Sequence, residues 1–355
     1  MNTFGRHFRL TTFGESHGAA IGGIVDGLPA GLTVDSAAIA LAMERRRPNH
    51  AAGGTTRHEE DAVELLSGIY NGLTTGAPIG FIIPNKDARS ADYAELADKY
   101  RPNHADYTWS AKYGIRDPRG GGRASARETA CRVAGGALAN MLLGSHDIKV
   151  VAWTSRIGEI EFEGTPTDDN APFDFATRCP DAAADAAMRE LTARTAAEHD
   201  TLGGIVSCAI YNLPAGLGEP LAAKFQAELA GAMMSIPAAR GFEYGDGFAA
   251  ATSRGSLQTD EYCISGGRVA TRTNHSGGIQ GGITNGMPVL FRVAFKPIAT
   301  MPGRTLQTVD SIGRECSITA RGRHDVCAVP RAVAVVQAMA RLTVADALLA
   351  KRNSK

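Results

Sequence analysis

The order of strand-like and helix-like segments is the feature that most constrains the fold of this 355-residue chain. Short apolar runs predict strands at 21–25, 79–83, 148–153, 204–210 and 287–295. Longer amphipathic or Ala-rich segments predict helices at 35–47, 125–143, 181–199 and 330–351. Because the two kinds of segment do not alternate regularly, we expect an α+β fold with antiparallel sheets rather than a doubly wound fold.

Particular residues predict where several helices begin and end. Asp35 is a candidate N-cap for the first helix, and Pro48 ends it. Ser125 and Glu128 have the spacing of a capping box, which predicts a helix that begins at Ser125. Pro220 suits the first turn of a further helix that runs to about Met234.

The composition indicates a globular protein with no dominant charge. Hydrophobic residues make up 44% of the chain, and 37 basic side chains balance 37 acidic ones. A neutral chain has no overall field to attract nucleic acid or an anionic membrane, so anion binding must come from local clusters. No linker or shift in composition marks a boundary, and we expect residues 1–355 to form a single domain.

The chain has no sequence feature of a membrane or secreted protein. Its N-terminus lacks the apolar core of a signal peptide, and no apolar run approaches the ~18 residues of a membrane span. Six scattered cysteines without a C-x-x-C pair indicate neither a zinc site nor a disulfide framework. We therefore expect a cytoplasmic protein with reduced thiols, no metal site, and no nucleic acid or membrane partner.

The common enzyme templates are missing from the sequence. There is no G-x-G-x-x-G after a strand, no Walker loop, and no G-x-S-x-G or H-E-x-x-H. Glycine is instead frequent, with 41 residues, many in doublets or triplets such as 120–122, 277–278 and 281–282. Such runs indicate tight turns or places where backbone approaches a ligand.

The segment 116–128 is the strongest indication of an anion site. Its glycine-rich turn leads into a predicted helix that carries Arg127 and then Arg132. Arginine near a helix N-terminus opposes the helix dipole unless an anion binds there, and guanidinium and backbone N–H groups bind phosphate well. Three further segments hold candidate groups: Gly14–Gly18 with His17, the cluster Arg45–Arg47, and the loops 274–282, 296–300 and 321–325. His104 is a second candidate histidine, upstream of the turn.

These segments resemble the signatures of the chorismate synthase family, in the same order and at similar spacing. The similar segments include 14–18 followed by 24–27, 123–129 and 323–325, and they extend to 45–48, 113–116, 274–282 and 296–297. The similarity runs from about Phe4 to Leu349. One such motif would be weak support, whereas eight in register are specific.

The resemblance implies a fold, a reaction and partners. The fold is a β-α-β sandwich, with central helices between two antiparallel sheets, assembled as a homotetramer. The reaction is the 1,4-anti elimination of phosphate from 5-enolpyruvylshikimate-3-phosphate to chorismate, the last common step towards the aromatic amino acids. It requires reduced FMN (FMNH2) without net redox change, and NADPH acts only indirectly, through a separate flavin reductase.

The resemblance also implies roles for individual residues. His17 would be a proton donor near flavin N1, His104 an acid beside the leaving phosphate, and Asp325 and Ser125 would tune flavin N5 as a base. Substrate contacts would come from Ser16, Arg45, Arg127, Arg132 and Arg323. Cofactor contacts would come from Arg46 (through NADP), Arg123, Ala124, Ser125, Pro237, Ala238, Gly281, Lys296, Pro297, Ile298, Ala299, Thr300 and Arg323.

Four positions depart from the usual family pattern. Pro237 stands where Asn is usual and lacks both a side-chain amide and a backbone N–H. Val326 follows Asp325 where Pro is frequent, Gln337 replaces a usual Glu, and Asn103 stands where Gly or Ser is common.

Two other functions are compatible with the same residues. The chain could also reduce bound FMN with NADPH, although no extra segment indicates this activity. Alternatively, it could bind flavin or phosphate without catalysis, if a change such as Pro237 had removed the chemistry. The presence of His17, His104 and Asp325 argues against the second alternative.

Overall fold

The structure is a computed structural model that describes residues 1–54, 60–86, 97–301, 303–319 and 324–353. In these residues the helices are α1 (Ser36–Arg46), α2 (Asp106–Tyr113), α3 (Thr129–Gly144), α4 (Ala182–Ala197), α5 (Phe225–Met234) and α6 (Val329–Asn353). The first strands are β1 (Thr3–Phe4), β2 (Arg9–Phe13), β3 (Ala20–Asp26), β4 (Glu64–Leu65), β5 (Ile69–Tyr70), β6 (Leu73–Thr74), β7 (Ile79–Pro84), β8 (Lys149–Ile157) and β9 (Ile160–Glu161). The later strands are β10 (Gly204–Tyr211), β11 (Ala239–Tyr244), β12 (Tyr262–Ser265), β13 (Arg268–Thr271), β14 (Ile279–Gln280), β15 (Ile283–Thr284), β16 (Val289–Phe295), β17 (Thr305–Val309) and β18 (Glu315–Thr319).

Two antiparallel five-stranded sheets form the outer layers. The first has the strand order β1-β2-β3-β7-β4, and the second has the order β11-β16-β10-β8-β9. Strands β7 and β16 alternate buried and partly exposed residues, as expected when one face of a sheet covers a core. Their apolar faces therefore define where the helices pack.

Helices α3 and α6 lie between the sheets. Helix α3 packs on β2 and β3, α6 packs on β8 and β10, and the two helices contact each other closely. The doublet Gly135–Gly136 permits this approach, because a Cβ atom on Gly136 would lie 2.5 Å from Cβ of Ala338. This arrangement confirms the predicted α+β class and the sandwich of central helices between antiparallel sheets.

Helix α6 corrects one expectation about apolar segments. Val329–Lys351 is long and apolar enough to cross a membrane, contrary to the expectation that no such run exists. However, 89% of its most apolar window is buried inside the protein. It is therefore the core helix of the sandwich.

The predicted strands and three of the predicted helices are confirmed, with ends shifted by a few residues. At α1 the carboxylate of Asp35 accepts hydrogen bonds from the N–H groups of Ala37 (2.9 Å) and Ala38 (3.0 Å), as predicted. Helix α4 has Asp181 as its N-cap. The short elements α2, β2 and β11 were not predicted.

Two predicted helix starts are wrong. Helix α5 begins at Phe225 rather than near Pro220. Helix α3 begins at Thr129, because Ser125 is extended and separates two short 3₁₀ turns at 122–124 and 126–128. The capping box does not form, since the Glu128 carboxylate accepts hydrogen bonds from Thr12 and Arg132 instead.

Candidate active site

A cavity of about 950 Å³ opens where segments from across the chain meet. Its lining comes from the N-terminal strands, the loop before α2, the 3₁₀ turns before α3, and the loop before β11. The loop after β16 and the segment leading into α6 complete it. Residues far apart in sequence therefore share one space.

The cavity is strongly cationic, although the chain as a whole is neutral. Among its described lining residues, two carry carboxylates, Glu128 and Asp325. Seven carry a positive charge: Arg101, Arg123, Arg127, Arg132, Arg240, Lys296 and Arg331. This local excess of positive charge makes the cavity a receptor for anions.

One side of the cavity, the arginine wall, consists of Arg123, Arg127 and Arg132. Arg123 donates hydrogen bonds to the carbonyl of Gly14 (3.1 Å) and the hydroxyl of Thr12 (2.8 Å). Arg132 donates to Glu128 (2.9 Å) and to the hydroxyl of Ser235 (2.7 Å). Oxygen atoms of the protein therefore hold Arg123 and Arg132 in place.

Arg127 belongs to a buried ion triad. The Asp61 carboxylate, whose side chain has 0% exposure, bonds Arg46 at 2.8 Å and also bonds Arg127. Nε of Arg127 donates to Asn85 (2.9 Å). Burial alone would raise the pKa of Asp61, but the two guanidinium groups outweigh it and lower this pKa. A carboxylate of the protein itself therefore supplies part of the negative charge that the sequence predicted next to Arg127.

A second group of lining cations, the lysine wall, consists of Arg240 and Lys296. The Lys296 ammonium contacts the carbonyl of Asn103 at 3.4 Å, and Arg240 donates to the carbonyl of Ala239 at 3.0 Å. Burial and the neighbouring charge of Arg240 lower the pKa of Lys296. In the described part of the chain, neither cation is paired with a carboxylate.

Backbone geometry brings the lysine wall together. Ala238 has a φ of +69°, in the left-handed region that non-glycine residues seldom adopt. Its carbonyl accepts the N–H of Lys296 at 3.0 Å, which ties the loop before β11 to the loop after β16. Asn103 has a φ of +57°, a conformation that Asn tolerates better than most residues, and this accounts for Asn where Gly is common.

His104 lines the cavity and is bound to a buried carboxylate. Its Nδ1 lies 2.9 Å from Oδ1 of Asp106, and Asp106 is also bound by Arg101. Burial would raise the pKa of Asp106, but hydrogen bonds from Arg101 and His104 hold this pKa well below its usual range. Asp325 also lines the cavity, and its carboxylate accepts a hydrogen bond from Arg331 at 2.8 Å.

His17 lies beneath the glycine-rich turn rather than in the lining. A Cβ atom on Gly120, which has a φ of +76°, would come within 2.5 Å of the imidazole, so only glycine fits there. Nδ1 of His17 lies 3.1 Å from the hydroxyl of Ser16. Both residues are buried next to the turn.

Most of the predicted site residues meet in this cavity. Those that line it are His104, Ser125, Asp325, Arg127, Arg132, Arg123, Ala124, Pro237, Ala238, Lys296, Ile298, Ala299 and Thr300. Among the described residues, those that do not line it are Ser16, His17, Arg45, Arg46, Gly281 and Pro297. Arg323 lies outside the described residues.

The arginine cluster at the end of α1 points in three directions, and its first two members are bound outside the cavity. Arg45 bonds Asn170 and lies 4.2 Å over the ring of Phe173, and Arg46 belongs to the buried triad. Neither position meets the expectation of a ligand contact inside the cavity. Consecutive helical residues are about 100° apart, which separates their side chains.

Sequence reasoning missed several lining residues. Arg240, Arg331 and Trp109 are unremarkable in sequence, because arginine is abundant and Trp109 lies on the short helix α2. Arg101 lies three residues before His104, and nothing in the sequence distinguishes it from other arginines. Its proximity to the glycine-rich turn, where it donates to the carbonyl of Gly120 at 3.0 Å, is a tertiary contact.

The changed family positions have local explanations. The Val326 N–H donates to the carbonyl of Gly53 at 2.8 Å, a bond that proline could not make. Gln337 is buried in α6 and donates to the carbonyl of Val150 at 2.8 Å, away from the cavity. Of the four changed positions, Pro237 and Asn103 line the cavity.

Comparisons with known proteins agree with this arrangement. The chorismate synthase family model matches residues 8–349. The chain is similar to chorismate synthases of Bacteroides fragilis (50% identity over 100% of this chain and 99% of the relative) and Porphyromonas gingivalis (51%, over 100% and 97%). A crystal structure of a chorismate synthase has a TM-score of 0.78 at 33% identity and covers 98% of this chain and 93% of its own. The chain therefore belongs to the chorismate synthase family, carbon–oxygen lyases that eliminate phosphate from 5-enolpyruvylshikimate-3-phosphate to form chorismate.

Proposed function

We propose that the cationic cavity is where this chain performs the elimination, with reduced FMN and the substrate bound side by side. The observation that carries the proposal is the convergence of seven cations and His104 on one space of about 950 Å³. Such a volume is at the upper end of the roughly 300–1,000 Å³ of ligand pockets, which suits two ligands.

The lining residues fit the chemistry of both ligands. FMN and the substrate each carry a phosphate, and the substrate carries two carboxylates, so both need cationic partners. The lysine wall offers two cations without a carboxylate partner among the described residues. Small lining residues leave room for a flat ring: Gly121, Ala124, Ala238 and Ala299.

The two walls would divide the task of holding anions. The lysine wall, with Thr300, would bind the flavin phosphate, and Arg127 and Arg132 would bind the phosphate and carboxylates of the substrate. Arg323 would add a further cation for either ligand. Arg45 and Arg46 take no part in this division, since neither lines the cavity.

The residues of the chain would lower the barrier by stabilising charge and moving one proton. Reduced FMN, when bound, supplies electron density to the substrate ring and a nitrogen that takes the proton lost from carbon 6. Cations fixed in a cavity stabilise negative charge on a departing phosphate without having to reorganise. His104 would donate a proton to that phosphate, which then leaves as a weaker base.

The other predicted roles are compatible with this scheme. Ser125 and Asp325 line the cavity, where they would adjust the basicity of flavin N5. His17 would act from beneath Gly120 as a donor near flavin N1, and Ser16 would hold its imidazole. Gly281 and Pro297 would contribute through the shape of their loops.

The cellular setting follows the family. We expect a cytoplasmic protein whose flavin is reduced by a separate NADPH-dependent reductase. A homotetramer would cover apolar side chains that are exposed in the single chain, such as Phe248 (80% exposed) and Ile264 (73%).

Anaerobic turnover tests the proposal. With dithionite-reduced FMN, the protein should convert 5-enolpyruvylshikimate-3-phosphate to chorismate. The absorbance of chorismate measures the rate. His104→Ala should lower kcat about 100-fold or more, the usual contribution of a general acid. His275→Ala is a control outside the cavity lining. Full turnover by His104→Ala would contradict the acid role, and tight FMN binding without any chorismate would favour a non-catalytic flavin protein.

A further inference from the structure

We infer that Asp106 is the positioning residue of His104 and fixes which ring nitrogen exchanges the proton: Nδ1 is held by Asp106, and Nε2 serves the bound ligand. This inference rests on the proposed function, in which His104 is the acid beside the leaving phosphate. It adds the residue that controls the orientation and tautomer of that acid.

Asp106 is buried while its partner reaches the cavity. Asp106 begins α2 and is 3% exposed, whereas the His104 side chain is 23% exposed and lines the cavity. Oδ1 of Asp106 lies 2.9 Å from Nδ1 of His104. One ring nitrogen is therefore occupied by a group from the protein interior.

The charge state of Asp106 decides the direction of this hydrogen bond. Although burial opposes ionisation, the donors around Asp106 keep its pKa well below the usual range, so the group is a carboxylate at neutral pH. A carboxylate only accepts hydrogen bonds. Nδ1 of His104 must then carry the hydrogen, and the neutral ring has its lone pair on Nε2.

This assignment has a chemical consequence. When His104 gains or loses a proton, Nδ1 keeps its hydrogen and only Nε2 changes. An imidazole fixed in one tautomer by a buried carboxylate is the arrangement that orients general acid–base histidines in other enzymes.

The carboxylate is itself held rigidly. Arg101 donates to Asp106 through its backbone N (3.0 Å), Nε (2.8 Å) and Nη2 (2.7 Å), and Arg116 lies 3.3 Å away. Arg101 also donates to the carbonyl of Gly120, the glycine that packs on His17. One buried carboxylate thus connects the supports of both predicted histidines.

A second histidine–carboxylate pair provides a matched control. Nδ1 of His275 lies 2.7 Å from Oδ2 of Asp246. Neither residue lines the cavity, and the Asp246 side chain is 33% exposed. Removing the charge at Asp246 breaks a similar pair without touching the proposed site.

The experiment is a double-mutant cycle with Asp106→Asn and His104→Gln, and with Asp246→Asn as the control. Anaerobic kcat and KM are measured at saturating reduced FMN, and thermal unfolding checks folding. Asp106→Asn should lower kcat about 10- to 100-fold with KM changed less than about threefold. It should cause no further loss in the His104→Gln background, and Asp246→Asn should keep kcat within about twofold.

Two kinetic results would overturn the inference. One is an Asp106→Asn variant with unchanged kcat, and the other is an equal loss of kcat with and without His104, which would indicate a merely structural role. Full turnover by His104→Gln would instead remove the acid role from the proposed function.

A spectroscopic measurement decides the tautomer without relying on the Asn variant or on turnover. In histidine-labelled protein, the ring-nitrogen NMR signals that disappear in His104→Gln should show a hydrogen on Nδ1 when the ring is neutral. A neutral ring with its hydrogen on Nε2 would overturn the inference, whatever the kinetics.

Discussion

The two walls of the cavity differ in what balances their charges. Arg123, Arg127 and Arg132 on the arginine wall are each bound by oxygen atoms of the protein, including the carboxylates of Asp61 and Glu128. On the lysine wall, Arg240 and Lys296 each contact one main-chain carbonyl, and no carboxylate of the described residues pairs with either.

This difference separates cations that the fold already balances with carboxylates from cations that it does not. A buried cation with a carboxylate partner contributes to stability, and removing the partner leaves an uncompensated charge. Two neighbouring cations without such a partner repel each other until an anion binds. Removing a carboxylate partner of the arginine wall should therefore lower stability, whereas mutation of the lysine wall should act mainly on ligand binding.

The largest expected effect is on the arginine wall. Asp61→Asn leaves Arg46 and Arg127 buried without their shared carboxylate, and we expect the free energy of unfolding to fall by about 3–5 kcal/mol. Urea unfolding at pH 7 measures this change. The control is Asp26→Asn, which breaks the exposed pair with Arg9 and should cost less than about 1 kcal/mol. Equal effects of the two substitutions would remove the distinction between buried and exposed partners.

The loss of unfolding free energy in Asp61→Asn should depend on pH. Because the pKa of Asp61 is lowered in the folded protein, its stabilisation is fully present above the unfolded pKa of about 3.9. The stabilisation is lost as the pH falls through the folded value. The gap in unfolding free energy between wild type and Asp61→Asn should thus narrow as the pH is lowered below about 4. A gap that stays constant to pH 2 would contradict the assignment.

The next largest effect should be on ligand binding at the lysine wall. Lys296→Ala removes a cation that would bind the flavin phosphate, and a hydrogen bond to a charged group contributes about 1.5–3 kcal/mol. FMN should therefore bind about 10- to 100-fold more weakly, as measured by flavin fluorescence, while unfolding free energy changes by less than about 0.5 kcal/mol. Arg304→Ala, which removes a cation outside the cavity lining, should leave FMN affinity unchanged. Unchanged affinity in Lys296→Ala would contradict the role of this wall.

A smaller effect is expected on the pH dependence of FMN affinity, because the two cations of the lysine wall repel each other. Burial, and to a lesser degree Arg240, lowers the pKa of Lys296, so the ammonium loses its proton at a lower pH than an ordinary lysine. FMN affinity should fall as the pH rises through this lowered pKa. In Arg240→Ala the fall should move to higher pH, because the neighbouring charge is gone. A midpoint that does not move would mean that the two cations do not interact.

The smallest expected effect concerns Pro237. Asparagine at this position restores an amide and a backbone N–H in the cavity wall, and one neutral hydrogen bond contributes about 0.5–1.5 kcal/mol. FMN should bind Pro237→Asn about 2- to 10-fold more tightly in the same fluorescence titration. Weaker binding would show that the rigidity of proline matters more than the missing donors.

The sequence predicted the parts of the fold and the site that depend on local patterns. The Asp35 cap, the alternating strand β16 and the loop 296–300 could be identified because their signals lie within a few residues. The start of α3 could not, since Thr12 and Arg132 take the Glu128 carboxylate that a capping box would use.

The site residues that were missed or misplaced depend on contacts between distant segments. Nothing near Asp61 in the sequence indicates that it joins Arg46 to Arg127, and nothing near Arg240 distinguishes it from other arginines. The difference between a cation held by the fold and one available to a ligand is a tertiary property. It became visible only when the partners of each guanidinium were known.

A crystal structure with FMN and 5-enolpyruvylshikimate-3-phosphate tests the central claim most directly. The account predicts that both ligands lie in the one cavity, with the flavin phosphate against Arg240 and Lys296 and the substrate phosphate near His104 and Arg132. A flavin bound at another surface, with the lysine wall in contact with solvent only, would contradict it.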